Sequence, residues 1–378
     1  MNESPQSLAG YKLAPYGFEP SLSKGREYYI EPDRYRSAFQ RDRDRIIHSK
    51  SFRRLEYKTQ VFVNHEGDHY RTRLTHSLET SQIARTLARS LQLNSDLVEA
   101  IALGHDLGHT PFGHSGEDAL NDILEDGFRH YEQGVRVVES VEEKYLYKGH
   151  RGLNLSWEVR EGILKHTSWR ERLRKDKFTH LEPETPPTLE AQVVALSDQI
   201  AFVSHDIDDG LRSNLITEEE LKELLIYAKL RGSEKPWYRK IIPFFVNDIV
   251  EQTRENISKA KLNSPQKARE LDDFLVRFSE EVQNIKSELG QFLTDNLYYD
   301  PHVIKMREEG KKTIRGLYNI YFHQPEKLPP KIYQTFQEQI AESSRNRRSV
   351  LEDYIRDYIA GMTDRFAFQV YEELGPSI

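Results

Sequence analysis

The chain has 378 residues, with 54 Lys and Arg against 61 Asp and Glu and no cysteine. A net charge of -7 argues against a general nucleic-acid coat, which needs surplus cations to neutralise phosphates, and the lack of cysteine excludes disulfides and thiolate metal ligands, leaving His, Asp and Glu. With 30% charged residues and a mean hydropathy of -0.73, the chain reads as one hydrated, compact globular body with no window that approaches a membrane span.

In chain order, the opening MNESPQSLAG lacks the basic start and apolar stretch of a secretory signal, which points to the cytoplasm. Between Arg41 and Gln60, seven basic residues (Arg41, Arg43, Arg45, Lys50, Arg53, Arg54, Lys58) stand against three acidic ones (Asp42, Asp44, Glu56). That surplus suits a small anionic ligand; the alternative is a solvated, salt-bridged helix face. Beyond it there is no repeat and no regular strand alternation. Apolar residues recur at helical spacing, which predicts an all-α protein. Leu74, Leu78, Leu87 and Leu91 mark one helix, and Leu97, Ile101 and Leu103 mark another that runs toward Gly104-His105-Asp106.

The stretch HDLGHTPFGHSGE, from His105 to Glu117, crowds three histidines and two carboxyl groups beside three glycines and a proline. Neighbouring helical residues point about 100 degrees apart, so His105 and Asp106 converge on one ion most easily at a helix end. Gly108 and Pro111 supply the interruption. Burying so many titratable groups gains a helical protein little stability, which favours function over structure for this cluster. Imidazole and carboxylate together suit a divalent ion such as Mn, Fe, Co, Ni, Mg or Zn, and the ligands alone do not choose among them. Partners for that ion are sought on neighbouring helices, at His76 in Arg73-Leu74-Thr75-His76 and at Asp198 in Leu196-Ser197-Asp198. Arg73 and His76 share a helix face, so Arg73 can reach a phosphate where His76 holds metal. His114 and Glu117 have the same spacing, and a carboxylate that orients an imidazole makes His114 a candidate proton donor or base. Taken singly, His76 reads as a structural histidine and Asp198 as a helix cap.

Pro183, Pro186 and Pro187 predict a surface loop between the helix carrying His166 and the helix carrying Asp198. Thr217 with Glu220 has capping-box spacing, and Gly232 is placed to end that helix. Ser264-Pro265 opens another. After about Asp209 the pattern is amphipathic and rich in Tyr and Phe, read as scaffold and interface with the aromatics in the core.

Taken together, Phe52-Arg53-Arg54-Leu55, Lys58-Thr59-Gln60-Val61, Thr72-Arg73-Leu74-Thr75-His76-Ser77, HDLGHTPFGHSGE, Asp198-Gln199-Ile200-Ala201 and His205-Asp206-Ile207-Asp208-Asp209-Gly210 form an ordered set. It resembles the deoxyguanosinetriphosphate triphosphohydrolase-like branch of the HD phosphohydrolases. A late match, Asp357-Tyr358-Ile359-Ala360-Gly361-Met362-Thr363-Asp364-Arg365, carries the resemblance almost to the chain end. It implies an HD-domain helical core over 61–210, preceded by a basic segment over 1–60 packing on it and followed by helices over 211–378 in one body with it. It also implies one divalent metal held by His76, His105, Asp106 and Asp198, and hydrolysis of a deoxynucleoside triphosphate to deoxynucleoside and inorganic triphosphate. Arg73 and His109 look like phosphate-side groups, Gln60 like a deoxyribose contact and Asp206 like a contact to the sugar 3′-hydroxyl. His114 with Glu117 resembles the proton-transfer pair, and His130 is similar to a second active-site histidine. Phe202 departs from the pattern, because members of this group often carry Tyr there. Tyr321 reads as a core aromatic. A homo-oligomer and a nucleotide activator fit the same resemblance. Two other readings stand beside it: an HD enzyme acting on another nucleotide or phosphoester, and a nucleotide-sensing protein, or one weakly binding single-stranded nucleic acid, with a structural metal.

Overall fold

Ser37, Thr72, Asn94 and Thr188 each stand just before a helical run, and each caps one. Ser37 with Gln40 and Thr72 with Thr75 close reciprocal capping boxes, while Asn94 and Thr188 accept backbone amides of their first turns. The computed structural model describes residues 12–60, 71–143, 145, 149–167, 174, 176–232, 236–342 and 344–375. The opening MNESPQSLAG and Val61 lie outside the described residues. The first half comprises α1 (Ala38–Ile47), α2 (Lys50–Arg54), α3 (Arg73–Ser90), α4 (Ser95–Gly104), α5 (Gly113–Ile123), α6 (His130–Arg136), α7 (Trp157–Lys165) and α8 (Leu189–Arg212). The second comprises α9 (Glu218–Leu221), α10 (Leu225–Leu230), α11 (Ile241–Lys259), α12 (Pro265–Arg269), α13 (Glu280–Leu293), α14 (Pro301–His323), α15 (Pro330–Glu342), α16 (Arg347–Ala360) and α17 (Asp364–Leu374). The all-α expectation is borne out: among the described residues there are two isolated bridges, Arg26–Ser156 and Thr59–Thr72, and no strand. None of the described helices is long and apolar enough to cross a membrane.

α4 lies at the centre, packed by α1, α3, α7 and α8. Leu97, Val98, Ile101 and Leu103 are buried as their spacing predicts. In α3 the helix is as expected and its buried face is not. Leu78 is half exposed, and the inward stripe runs Arg73, His76, Ser77 and Thr80 before it turns apolar at Ile83, Ala84 and Leu87. Leucine spacing alone misplaces the face because Arg73, His76 and Ser77 find partners inside, in Asp106, Asp198 and the Arg73 carbonyl.

Gly108 sits in the turn after α4, and its main constraint is close approach. A Cβ there would lie 2.0 Å from the His130 carbonyl oxygen and 2.2 Å from the Gly134 amide nitrogen. Both neighbours are backbone, so nothing flexible can move aside. Gly108→Ala is expected to cost about 3 kcal/mol, read as a lowered midpoint of chemical unfolding; an unchanged midpoint would mean that α6 can shift freely.

Thr217 and Glu220 form the expected capping box, but the helix stops at Leu221 and a second one begins at Leu225 and ends at Leu230, before Gly232. Leu221 and Ile226, both buried, are five positions apart, which one continuous helix face does not match. Ser264 caps α12 as expected. Pro183, Pro186 and Pro187 do lie between α7 and α8, in a connection that exposes Asp176, Thr179, His180 and Glu184, but all three prolines are themselves buried.

Two apolar clusters form the interior. The larger gathers Phe18, Phe39, Ile46 and Phe52 from the first sixty residues around α4, α7, α8, α11 and α13. The second joins Phe112, Leu120 and Phe128 to α14, α16 and α17, and holds Tyr321, 1% exposed, as a core aromatic. The motif from Asp357 to Arg365 fastens this second cluster to the turn after α4. Asp357 pairs with Arg136 at 2.7 Å, and the Ala360 and Gly361 carbonyls accept from Lys58 and Arg54. Asp364 accepts the amides of Phe112 and Thr59, each at 2.9 Å.

Candidate metal centre and active site

α4 ends at Gly104, and the chain then turns through His105–Phe112 before α5. Phe112 and Gly113 both take left-handed backbone angles, φ +62° and +55°. For phenylalanine this conformation costs about 1–3 kcal/mol, and it is held by the Asp364 bond and by burial of the ring. The turn faces Arg73 and His76 on the first turn of α3 and Asp198 on α8, helices that pack against each other.

The four expected metal ligands form one chain of contacts. His76 Nε2 lies 2.9 Å from Asp198 Oδ1, His105 Nε2 lies 3.6 Å from that same oxygen, and His105 Nε2 lies 3.3 Å from Asp106 Oδ1. His76, His105 and Asp198 offer ligand atoms all within 4.8 Å of one another, and Asp106 adjoins them through His105. His105 Nδ1 contacts the Ala102 carbonyl at 2.6 Å, which fixes that nitrogen as the donor and leaves Nε2 buried with no hydrogen-bond partner among the described residues, aimed at both carboxylates. An N2O2 donor set with an orphaned imidazole nitrogen fits a divalent cation. Burial pushes His105 down, but Asp106 and Asp198 outweigh it and hold its pKa at about 9. Burial would raise the two carboxyls as well. His105 and His109 at Asp106, and His105 and His76 at Asp198, overcome that and hold both well below the usual range. The site is built to favour positive charge between carboxylates.

Beside it, Arg73 is 2% exposed and donates through one terminal nitrogen to Asp106 Oδ2 at 3.0 Å, while its Nε and other terminal nitrogen have no hydrogen-bond partner among the described residues. Two unspent buried donors on a guanidinium suit a phosphate. His109 Nε2 lies 3.1 Å from Asp106, and burial, with Arg73 and His130 nearby, pushes the His109 pKa well below its usual value. His109 stacks on His130 with ring centroids 3.9 Å apart.

Glu117 contacts His130 Nδ1 at 2.9 Å and accepts its backbone amide at 3.0 Å, whereas His114 Nδ1 stands 3.8 Å away. The i, i+3 spacing brings His114 near Glu117 without a hydrogen bond, because α6 presents His130 to the same carboxylate. His130 Nε2 in turn meets His166 Nε2 at 3.2 Å, and His166 Nδ1 contacts the Ile163 carbonyl at 2.8 Å.

A cavity of about 460 Å3 opens over these groups, lined among others by Gln60, Arg73, His76, Asp106, His109, His114, His130 and Asp198. A smaller one of about 290 Å3 shares Gln60, His114, Phe202 and Tyr298 with it and is walled by Phe112, Val303 and Met306. His105 lies behind the cavity wall. Asp206 does too, since it lines neither chamber and its carboxylate takes the Tyr298 hydroxyl. Tyr298 therefore stands where the sequence pattern places Asp206. It comes from a π-helical turn, Thr294–Tyr298, directly after α13. Lys286 on α13, donating to Gln199 at 2.6 Å, is a further cation of the larger chamber. No motif marks either residue; only the packing of α13 on α8 brings them in.

Burial pushes the Asp206 carboxyl up to about 8, with Tyr298 opposing the rise and Asp209 adding to it. Unfolded aspartate titrates near 3.9, so between these values the folded chain keeps a proton that the unfolded chain releases. The stability this group contributes is full below about pH 4 and is lost as pH rises through about 8. Asp206→Asn is expected to flatten the fall of melting temperature between pH 5 and 8; an unaltered slope would place the titration elsewhere.

Residues 73–203 match the HD domain, and residues 276–373 match the phosphohydrolase-associated domain. Over 96% of its length the chain is 45% identical to a deoxyguanosinetriphosphate triphosphohydrolase-like protein of Nitrosomonas europaea, of which 97% is covered. A protein of the same description from Bordetella pertussis is 43% identical over 99% of each chain, and one from Geobacter metallireducens is 42% identical over 96% of this chain and 94% of that one.

Proposed function

The chain belongs to the deoxyguanosinetriphosphate triphosphohydrolase-like family and is an HD-domain phosphohydrolase, and from that footing we propose that it hydrolyses deoxynucleoside triphosphates to deoxynucleoside and inorganic triphosphate. The observation that carries the reading is the pair of joined chambers. One is lined by Arg73, Lys286, histidines and carboxylates and suits a metal-bound triphosphate; the other is walled by Phe112, Phe202 and Tyr298 and suits a sugar and base.

His76, His105, Asp106 and Asp198 would hold one divalent ion, Mn or Mg first. When bound, such an ion supplies charge withdrawal at the α-phosphate and acidifies water. Arg73, with two donors unspent, steadies charge growing on the phosphate oxygens. Water adds to the α-phosphorus and releases a proton to solvent, the bond to the 5′ oxygen breaks, and that oxygen takes up a proton as it leaves. His114 lines both chambers, so it stands at the junction where the 5′ oxygen falls, and it takes the donor role. Glu117 fixes His130, whose ring supports His109 by stacking. Gln60, lining both chambers, is placed for the deoxyribose, and Tyr298 presents a phenol on the wall where Phe202 has none.

Incubation with each deoxynucleoside triphosphate, alone and mixed, with Mn or Mg, tests the reading by product. Inorganic triphosphate with free deoxynucleoside is expected. Orthophosphate or a nucleoside monophosphate would assign the site to another phosphoester reaction. Faster turnover in mixtures would identify one nucleotide as an activator of another, and sedimentation of the same samples would read the expected homo-oligomer.

A further inference from the structure

His166 is 2% exposed and lines neither chamber, although the next residue, Thr167, is part of the wall of the larger one. It ends α7, and that helix end is pinned. Lys165, fully buried, donates to Glu161 and to the Glu182 and Thr185 carbonyls, each at 2.7 Å. α6 packs closely on α7, since a Cβ at Gly134 would already lie 3.1 Å from the Ile163 side chain. That approach sets the His130 and His166 rings tip to tip, with their Nε2 atoms 3.2 Å apart.

The hydrogens along this line can be counted. The Ile163 carbonyl at one end only accepts, so His166 Nδ1, 2.8 Å away, carries a hydrogen. At the other end Glu117 takes the His130 amide at 3.0 Å and faces His130 Nδ1 at 2.9 Å. Burial would raise the Glu117 carboxyl, but His130, His114 and His109 outweigh it and hold it well below the usual range. Glu117 therefore accepts, and His130 Nδ1 carries a hydrogen too. Between the rings, two lone pairs would repel and two hydrogens would collide, so one hydrogen lies there. Three hydrogens on four nitrogens leave the pair with one positive charge, facing Glu117. Both His130 nitrogens are then spent, and the ring offers the chamber its charge and its face, on which His109 stacks with the planes 12° apart.

We propose that His166 is a positioning residue of the active site: with Glu117 it clamps the His130 ring at both nitrogens, so that an imidazole cation stands fixed beside the triphosphate chamber. This rests on the reaction proposed above and adds a residue to it. A buried histidine that only filled space would not need both nitrogens in directional bonds, one of them to a ring that lines the chamber. A cation that need not reorient is worth most as charge grows on the phosphate oxygens, so its loss falls on kcat and spares KM. His166 also meets the His105 ring edge-on at 5.1 Å, which makes metal content a necessary companion measurement.

Nitrogen NMR of the full chain, labelled with 15N-histidine and held with Mg and no substrate, reads the clamp without turnover. Three hydrogen-bearing ring nitrogens and one bare one are expected for the pair, assigned by their loss in His130→Ala and His166→Gln. His166→Phe keeps a ring and removes both bonds; kcat is expected to fall about thirtyfold, with KM within about threefold and bound metal unchanged. His166→Gln restores an acceptor near the place of Nε2 and should recover kcat to within about threefold of wild type. In a His130→Ala background, His166→Phe should change kcat less than about twofold, because the ring it holds is gone. An equal loss in both backgrounds, a Gln variant no faster than Phe, or two bare nitrogens in the pair overturns the proposal. Should His166→Phe fail to fold, the wild-type spectrum and the Gln variant decide. A wild-type chain that left deoxynucleoside triphosphates intact would sink the substrate reading instead, and the nitrogen count would still stand or fall by itself.

Discussion

Asp106→Asn is expected to lower turnover about a thousand-fold, equivalent to about 4 kcal/mol of transition-state stabilisation, and to lower bound metal measured by elemental analysis. Asp106 touches three partners at once: Arg73 at 3.0 Å, His109 at 3.1 Å and His105 at 3.3 Å. The amide keeps the shape and removes the charge. It leaves the buried Arg73 guanidinium without its anion, a change that costs about 3–5 kcal/mol when such a pair is broken. A thermal melt alongside the assay separates lost chemistry from lost fold. One equivalent of metal retained with turnover within tenfold of wild type would remove Asp106 from the ligand set.

His114→Ala should slow turnover by about a hundred- to ten-thousand-fold while sparing metal binding. The histidine is 58% exposed in side chain and makes no hydrogen bond to Glu117, so its loss should barely move the melting temperature. Glu117→Gln reports on a different ring, since its short contacts are to His130. If His114→Ala turned over near the wild-type rate and Glu117→Gln did not, the proton-donor role would pass to His130. The pH profile of kcat in the two variants would show which ring sets the alkaline limb, where a proton donor loses its proton.

Much of this protein could be read from residue order. Caps at Ser264 and Thr217 and the spacing of Leu97, Ile101 and Leu103 are local signals, and local physics placed them correctly. The dense stretch from His105 to Glu117 was legible because buried titratable groups need a reason to be there. What escaped was anything set by a distant partner. The choice of His130 over His114 by Glu117 depends on how α6 packs, and thirteen positions of separation carry no periodic trace. Tyr298 and Lys286 reach the chamber only because α13 docks on α8. α3 buries its polar residues because the site faces it, where a leucine count points the helix the other way.

Asp364 accepts the Phe112 amide across 252 positions of chain. The strained conformation at Phe112 thus depends on a segment that follows it by two thirds of the sequence, and a contact of that separation is among the last to form. A ribosome-bound chain that already displays every expected metal ligand would still lack the bond that braces Phe112, so the strained turn is secured only when the closing helices arrive and not by the HD segment itself.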